Sequence, residues 1–285
     1  MPAAASELRP NLQLVAVGRI RFHEHPEHRR TLRLVERIKQ QAVLRNPPIV
    51  AAMPDGNYLL LDGANRVSAL AEIGYSHVPV QVVKYGDPAV QLKGWHHLLI
   101  DGGSLGLRSV YEHLSDVRLQ PVVQDQLSTL LELREVFAIL VENDNSFWAL
   151  FPEQAQEEIE IHHRIEVLEA VVSAYEGQSQ LERIKLANYS QLSEVINSVE
   201  HELILFPVLH KEELLHLAAQ RIMIPTGLTR HVIPGRALGI DLDLSFITEL
   251  ETDAKKVSHF QQYIDQITIQ GRIRFYEEPV FIMNE

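Results

Sequence analysis

Two short polar turns, each set between apolar runs, constrain the fold of this chain more than any other feature. Residues 54–57 (Pro-Asp-Gly-Asn) separate the apolar runs 49–53 and 58–61, and residues 143–145 (Asn-Asp-Asn) separate 137–141 and 147–151. Turns of this kind join antiparallel strands, whereas parallel strands need a crossover of a dozen or more residues. The sequence therefore predicts a mixed α+β protein with short elements and argues against a doubly wound parallel sheet.

The remaining pattern predicts where further elements and the domain boundary lie. Apolar spacing predicts helices over residues 29–44, over a stretch beginning near Arg66 and over 153–175. Strands are predicted at 12–17, at 78–83 and in a return at 271–283. The segment Asp101-Gly102-Gly103 indicates a flexible break, so the predicted domains are 1–102 and 103–285.

Composition excludes several classes of protein. The chain has no cysteine, which rules out a disulfide framework, a cysteine-ligated metal and a thiol catalyst. It contains no apolar run of the ~18 residues that a membrane span needs, and its first residues lack a signal pattern. The expectation is a soluble, cytoplasmic protein with no membrane partner.

The net charge of −12 is unevenly distributed along the chain. Residues 1–100 hold 12 Lys and Arg against 8 Asp and Glu, and the rest hold 14 against 30. An acidic chain is a poor nonspecific nucleic-acid binder, because that binding needs a basic surface. The mildly basic first third is suited to a small anion such as a nucleotide.

The segment at residues 61–66 combines a predicted strand, a glycine turn and the start of a helix. Neither a Walker loop nor a dinucleotide fingerprint occurs in the sequence. Gly63 lets the backbone approach an anion, the helix start offers unpaired N–H groups, and Arg66 can grip phosphate oxygens. The alternative is a tight turn in which Asp62 caps the helix and Arg66 is exposed.

Residues 12–83 resemble the ParB/sulfiredoxin fold, which carries a Gly-x-x-Arg phosphate motif matched by Gly63 and Arg66. Over nearly the whole chain the closer resemblance is to the free L-serine kinases (SerK/SbnI-like). It rests on motifs in the expected order: His23-Glu24, Asp62-Gly63-Ala64-Asn65-Arg66, Trp95-His96-His97 and Pro225-Thr226-Gly227-Leu228-Thr229-Arg230-His231, with Gly235-Arg236 after the last of them. One departure is Asn65, where the family often has histidine.

The resemblance implies a ParB/sulfiredoxin-like nucleotide-binding domain, followed by a mixed helical and short-strand domain that completes the substrate site. It implies phosphoryl transfer from ATP or ADP, with Mg²⁺, to the hydroxyl of free L-serine, giving O-phospho-L-serine. Glu24 would be the base, Asp62 a catalytic residue and the Mg²⁺ ligand. The nucleotide-binding residues implied are Gly63, Ala64, Asn65 and Arg66, and the serine-binding residues are His23, Trp95, His96, Thr229, Arg230 and His231.

Three alternatives stay open from the sequence. Glu24 can be a solvated loop carboxylate and Trp95 an anchor between domains, in which case neither has a catalytic role. The fold is also used by ParB-like regulators that bind DNA and respond to a nucleotide, although the acidic balance disfavours a nucleic-acid partner. A silent nucleotide or amino-acid sensor would use the same pocket, and a homo-oligomer is neither indicated nor excluded.

Overall fold

The computed structural model of the protein describes residues 9–154, 159–186, 188–196, 198–250 and 252–276. These residues form two compact units, each built from more than one stretch of chain. The first unit contains the described residues of 1–22, 26–90 and 233–285, and the second those of 23–25 and 91–232. The sequence predicted a single boundary that divides the chain into a nucleotide-binding domain, 1–102, and a domain that completes the substrate site, 103–285. The functions assigned to these two domains stay predictions.

The described residues contain short strands and helices in mixed order. The strands are β1 (Leu12–Ala16), β2 (Ile20–Arg21), β3 (Val43–Leu44), β4 (Ile49–Ala52), β5 (Tyr58–Asp62), β6 (His77–Val83), β7 (Gln91–Gly94), β8 (His96–Leu99), β9 (Val117–Val122), β10 (Ala138–Val141), β11 (Phe147–Pro152), β12 (Leu181–Ile184), β13 (Glu202–Leu205), β14 (Thr229–Val232) and β15 (Leu242–Asp243). The helices are α1 (His28–Gln41), α2 (Ala64–Ile73), α3 (Leu107–Tyr111), α4 (Leu127–Glu132), α5 (Ile161–Ser173), α6 (Leu192–Val195), α7 (Lys211–Ala219), α8 (Ser245–Glu249) and α9 (Asp253–Ile269).

The first unit is built on a mixed sheet with the strand order β1-β6-β4-β5-β2. Strands β4 and β5 pair antiparallel, which confirms the predicted hairpin, while β6 runs antiparallel to β1 and parallel to β4. Helices α1 and α2 bury their apolar stripes, among them Val35, Ile38, Val67 and Leu70, in one core with α8 and α9. The predicted mixture of helices and short strands is confirmed, and the sheet contains both strand directions.

Helix α1 ends at Gln41, three residues before the end that the apolar spacing predicted. Ala42 has a left-handed φ of 50° and its N–H bonds Ile38 O at 2.8 Å, which closes the last turn. The next two residues form β3 and pair with β15 from the far end of the chain. That long-range pairing, which local spacing does not encode, moves the helix end.

The second unit is built on an antiparallel sheet with the order β12-β8-β13-β10-β11-β9, and β10 and β11 form the second predicted hairpin. Helix α5 begins after Glu160, whose carboxylate accepts from the N–H groups of His162 and His163. The predicted helix over 153–175 is therefore shorter at its start, and residues 155–158 lie outside the described part. Of the predicted return at 271–283, residues 271–276 have no strand and 277–283 lie outside the described residues.

The glycine segment at 101–103 has a packing role within the second unit. Gly102 is buried, and a Cβ there would lie 2.7 Å from the Cβ of Glu202. The expected flexible break at 101–103 stays a prediction, and the structure gives Gly102 a separate reason, because only glycine fits this close packing. None of the helices in the described ranges is both long and apolar enough to cross a membrane.

Candidate active site

In the second unit, the carboxylate of Glu24 is held at both of its oxygens. Oε2 accepts a hydrogen bond from the Gly227 N–H at 3.0 Å, and Oε1 accepts from the Thr229 N–H at 2.7 Å and from Thr229 Oγ1. The Glu24 side chain keeps only 16% of its surface exposed. Three donors aimed at one carboxylate complement its negative charge and fix its orientation. Glu24 is therefore not a solvated loop carboxylate.

A short bridge and a glycine turn bring these groups together. Ile224 N–H donates to His23 O at 2.8 Å, and His25 N–H donates to Ile224 O at 3.3 Å, so Glu24 runs parallel to Ile224. Beyond Ile224 the chain turns at Gly227, where φ is +82°. A Cβ at Gly227 would lie 2.1 Å from Nε of Arg183. This position therefore requires glycine for the backbone conformation and for space.

His23 extends the hydrogen bonding that reaches Glu24. Its Nε2 lies 2.8 Å from Thr229 Oγ1, and its ring meets that of His231 edge to face at 5.3 Å. Because the Thr229 hydroxyl donates to Glu24, it accepts from His23, which places a proton on Nε2. Four of the residues implied by the resemblance thus lie in one cluster, although their sequence positions are about 200 residues apart.

The indole of Trp95 lies close to two cations of the second unit. The guanidinium carbon of Arg230 is 5.2 Å and the Nζ of Lys185 is 5.5 Å from the ring centroid. The backbone N–H of Trp95 donates to Leu228 O at 3.0 Å, which connects Trp95 to the turn that holds Glu24. Cation–π attraction offsets part of the repulsion between the cations. Within the described residues neither cation has a carboxylate partner, so the arrangement favours an anion.

The two histidines of β8 point to opposite faces of their sheet, as strand alternation requires. His96 is buried, and its Nδ1 accepts from the Phe206 N–H at 3.2 Å. His97 lies on the other face, where its Nε2 donates to Gly227 O at 2.9 Å. Burial lowers the pKa of both rings to about 4. The structure thus links His97 to the Glu24 turn, whereas the resemblance indicated His96, whose role in serine binding stays a prediction.

In the first unit, Asp62 accepts hydrogen bonds from two guanidinium groups. Arg66 Nη2 donates to Oδ2 at 2.9 Å, and Arg236 donates to the same oxygen. Burial alone would raise the pKa of Asp62, but the two arginines outweigh it and hold that pKa below its usual range. Arg66 also donates to the carbonyls of residues 46 and 47. The alternative of Asp62 as the helix cap is wrong, because Gly63 is the N-cap of α2.

The start of α2 has the features of an anion site. Gly63 has φ +98°, and a Cβ there would lie 3.0 Å from Arg66 Nη2 and 3.0 Å from Pro48 Cβ. A glycine cap has no side chain to accept the first N–H groups of the helix, which begin at Ala64. These groups and the positive end of the helix dipole favour an anion at this place.

Asn65 has a structural task at the junction of two helices. Its Oδ1 accepts from the backbone N–H of Glu27 at 2.8 Å and from Thr31 Oγ1 at 3.1 Å, so it caps the start of α1. A protonated histidine, with donors only, could not accept both bonds. The replacement of histidine by Asn65 therefore links α1 to α2, and its contact with a nucleotide stays a prediction.

The expected magnesium ligand, Asp62, already has partners: Arg66, Arg236 and the backbone N–H of Gly63. Among the residues that the structure describes, no group of three or more potential ligands is placed to hold a metal ion. Mg²⁺ is usually held by one or two carboxylates, with substrate phosphates and water completing its shell. Asp62 fits the protein's share of such a site, although its Oδ2 already accepts from two arginines.

Sequence reasoning missed three residues of these clusters. Lys185 stands outside the motifs, whereas Arg236 belongs to the Gly235-Arg236 pair that follows the last motif but had no role assigned to it. The tertiary structure brings these two residues to Trp95 and Asp62. For His97 a signal did exist, because neighbouring residues of a strand face opposite sides and only one of the pair could share a site with Glu24. The sequence does not say which one.

Comparison with known proteins identifies relatives over nearly the full length of the chain. No family model matches. The ATP-dependent L-serine kinase SbnI of Staphylococcus aureus is 24% identical over 281 residues, which are 98% of this chain and 100% of the relative.

Two solved structures share the fold. SbnI from Staphylococcus aureus with a C-terminal truncation has a TM-score of 0.73 at 23% identity and covers 90% of this chain and 97% of its own. A free serine kinase in complex with AMP has a TM-score of 0.65 at 18% identity, covering 84% of this chain and 94% of its own. The resemblance seen in the sequence motifs is confirmed: over nearly its whole length this chain is similar to the ATP-dependent L-serine kinase SbnI.

Proposed function

We propose that this chain is an ATP-dependent kinase that phosphorylates the hydroxyl of free L-serine and releases O-phospho-L-serine and ADP. The observation that carries the proposal is the Glu24 carboxylate, oriented by Gly227 and Thr229 and only partly exposed. It occurs in a chain similar along its length to a protein named ATP-dependent L-serine kinase.

The serine hydroxyl is a weak nucleophile and needs a base beside it. Glu24 takes the hydroxyl proton as the serine oxygen bonds the γ-phosphorus of ATP. The bond from that phosphorus to the bridging oxygen breaks, and ADP leaves with the electron pair. Thr229 and His23 keep the carboxylate aimed while the proton is transferred.

The nucleotide phosphates are proposed to bind at the start of α2, in the ParB/sulfiredoxin-like part of the chain assigned to residues 1–102. The N–H groups at Gly63, Ala64 and Asn65 and the guanidinium of Arg66 supply the donors. Asp62 would supply one oxygen to Mg²⁺, which neutralises phosphate charge when bound. Residues 103–285 would complete the serine site.

The amino-acid substrate is proposed to bind near Trp95. Arg230 is suited to a carboxylate, because guanidinium and carboxylate form paired hydrogen bonds. The remaining serine-binding residues of the proposal are His23, His96, Thr229 and His231.

Phosphorus NMR of the protein mixed with L-serine, Mg²⁺ and either ATP or ADP tests the function. We expect O-phospho-L-serine with ATP, and its absence with both nucleotides would reject the kinase.

The base is tested by Glu24→Gln, with Glu36→Gln on the exposed face of α1 as its control. Loss of a general base typically costs 10²–10⁴-fold in rate, so we expect kcat to fall at least about 100-fold while ATP still binds. The control should match the unsubstituted protein. Undiminished turnover in Glu24→Gln would remove Glu24 from the role of base.

A further inference from the structure

A buried chain of hydrogen bonds runs from Tyr175 to the turn that holds Glu24. Tyr175 OH lies 2.7 Å from His97 Nδ1, and His97 Nε2 lies 2.9 Å from Gly227 O. Tyr175 is 1% and His97 is 0% exposed. The rings of Tyr175 and Phe206 meet His97 edge to face, at 5.9 and 5.1 Å, which fixes the imidazole plane. None of these three side chains is among the serine-binding residues proposed above.

The direction of each bond in this chain is determined by chemistry. Gly227 O can only accept, so His97 Nε2 carries a proton and donates. Burial lowers the pKa of His97 to about 4, so the ring is neutral near pH 7 and Nδ1 has a lone pair. Tyr175 therefore donates its hydroxyl proton to Nδ1. The relay has one direction, from Tyr175 through His97 to the carbonyl of Gly227.

Both peptide groups of Gly227 are consequently fixed. Its carbonyl accepts from His97, and its N–H donates to Glu24 Oε2 at 3.0 Å. The guanidinium of Arg183 occupies the place where a Cβ would be, so it packs directly against the turn. A shift of the His97 ring would thus move the Gly227–Leu228 peptide and, through the φ and ψ angles of Gly227, change the orientation of the Thr226–Gly227 peptide whose N–H holds the carboxylate.

We propose that Tyr175 and His97 are positioning residues for the reaction, which hold the Gly227 turn so that its N–H orients the Glu24 carboxylate. This inference rests on the proposed function for its kinetic consequence, but not for its geometric one. Tyr175 and His97 act through the Gly227 turn and are not proposed to contact the substrate.

The kinetic test compares Tyr175→Phe with Tyr111→Phe in the full-length protein. Tyr111 is also fully buried in the second unit, and its hydroxyl bonds a backbone carbonyl, that of Val171, at 3.2 Å. Both variants lose one buried hydroxyl, so both should lower Tm. Only Tyr175→Phe should lower kcat, by about tenfold given the sensitivity of rate to sub-ångström misplacement, with the KM for ATP unchanged. Equal kcat values in the two variants would overturn the proposal.

A second measurement does not require activity. Thr226-Gly227 is the only Thr-Gly pair in the sequence, so [1-¹³C]threonine with [¹⁵N]glycine selects the Gly227 amide in a carbonyl-filtered NMR spectrum. We expect its proton and nitrogen shifts to move in Tyr175→Phe and to stay in place in Tyr111→Phe. An unmoved signal in Tyr175→Phe contradicts the proposal even if the unsubstituted protein phosphorylates serine. A moved signal in a protein without kinase activity would leave the support correct and reject only the proposed reaction.

Discussion

Two cationic residues near Trp95 determine how strongly the proposed serine site binds ligands of different negative charge. The charged groups of Arg230 and Lys185 lie within 5.5 Å of the Trp95 ring centroid. Their like charges repel each other, and a bound anion would reduce that repulsion. Serine brings one carboxylate, whereas O-phosphoserine adds a phosphate with up to two further charges. Lys185 should therefore matter more for the product than for the substrate.

Lys185→Gln tests this difference. The substitution removes one cation near the ring, so we expect the inhibition constant of O-phospho-L-serine to rise by about two- to fivefold, in keeping with an exposed cation–π and ionic contact. The KM for serine should change less. Lys84→Gln removes a charge from another exposed lysine and serves as the control. Equal effects of Lys185→Gln on the two ligands would contradict the charge argument.

Helix α2 has a glycine in the left-handed region at each end, and the two glycines differ in their surroundings. Gly63 has φ +98° and Gly74 has φ +99°. A Cβ at Gly63 would meet Arg66 and Pro48, whereas a Cβ at Gly74 would have nothing within 4 Å. Comparing the same substitution at both glycines therefore separates two losses of folding free energy, one from the left-handed backbone and one from crowding at the proposed phosphate site.

Gly63→Ala and Gly74→Ala should both lose stability, since a left-handed residue with a Cβ costs about 1–2 kcal/mol. Gly63→Ala should lose more, and only it should weaken ATP binding, because Arg66 must move. Urea unfolding measures the first effect and calorimetric titration with ATP the second. Matching ATP affinities in the two variants would argue against the start of α2 as the phosphate site.

Elements whose signals are local could be predicted from the sequence. The two hairpins follow from turn residues between apolar runs, and β4–β5 and β10–β11 both form as expected. Helix α2 follows from apolar spacing and from a glycine at each end. In these cases the residues that determine the structure are neighbours in the chain, so a short window contains the information.

Contacts between distant segments could not be predicted in this way. The early end of α1 depends on β15, about 200 residues later, and the Asp62 cluster depends on Arg236. The candidate residues of the Glu24 cluster came from motif resemblance, which did not indicate the support from Tyr175. The apolar spacing within a segment does not indicate which distant segment it will pair with. Strand alternation, likewise, does not determine whether His96 or His97 faces the Glu24 turn.

Across the whole molecule, buried titratable groups of opposite kind shape the dependence of stability on pH. Burial lowers the pKa of His96 and His97 to about 4, so the stability that these rings contribute is present above their ordinary value of 6.5 and is lost as pH falls toward 4. Glu202 acts in the other direction. Burial, with the nearby charge of Glu142, raises the pKa of Glu202 from 4.5 to about 7.

Glu202→Gln isolates the second effect. Between pH 4.5 and about 7 the unfolded chain releases the Glu202 proton before the folded chain does, so the carboxyl destabilises the fold increasingly as pH rises through this window. A shift of this size corresponds to roughly 3 kcal/mol at full ionisation. We therefore expect the variant's gain in unfolding free energy, measured in urea, to be near zero at low pH and largest above pH 7. The histidine contributions cancel in this difference, and Glu200→Gln, two residues earlier and exposed, is the matched control. A gain independent of pH would mean that Glu202 is ionised in the fold at the same pH as in the unfolded chain.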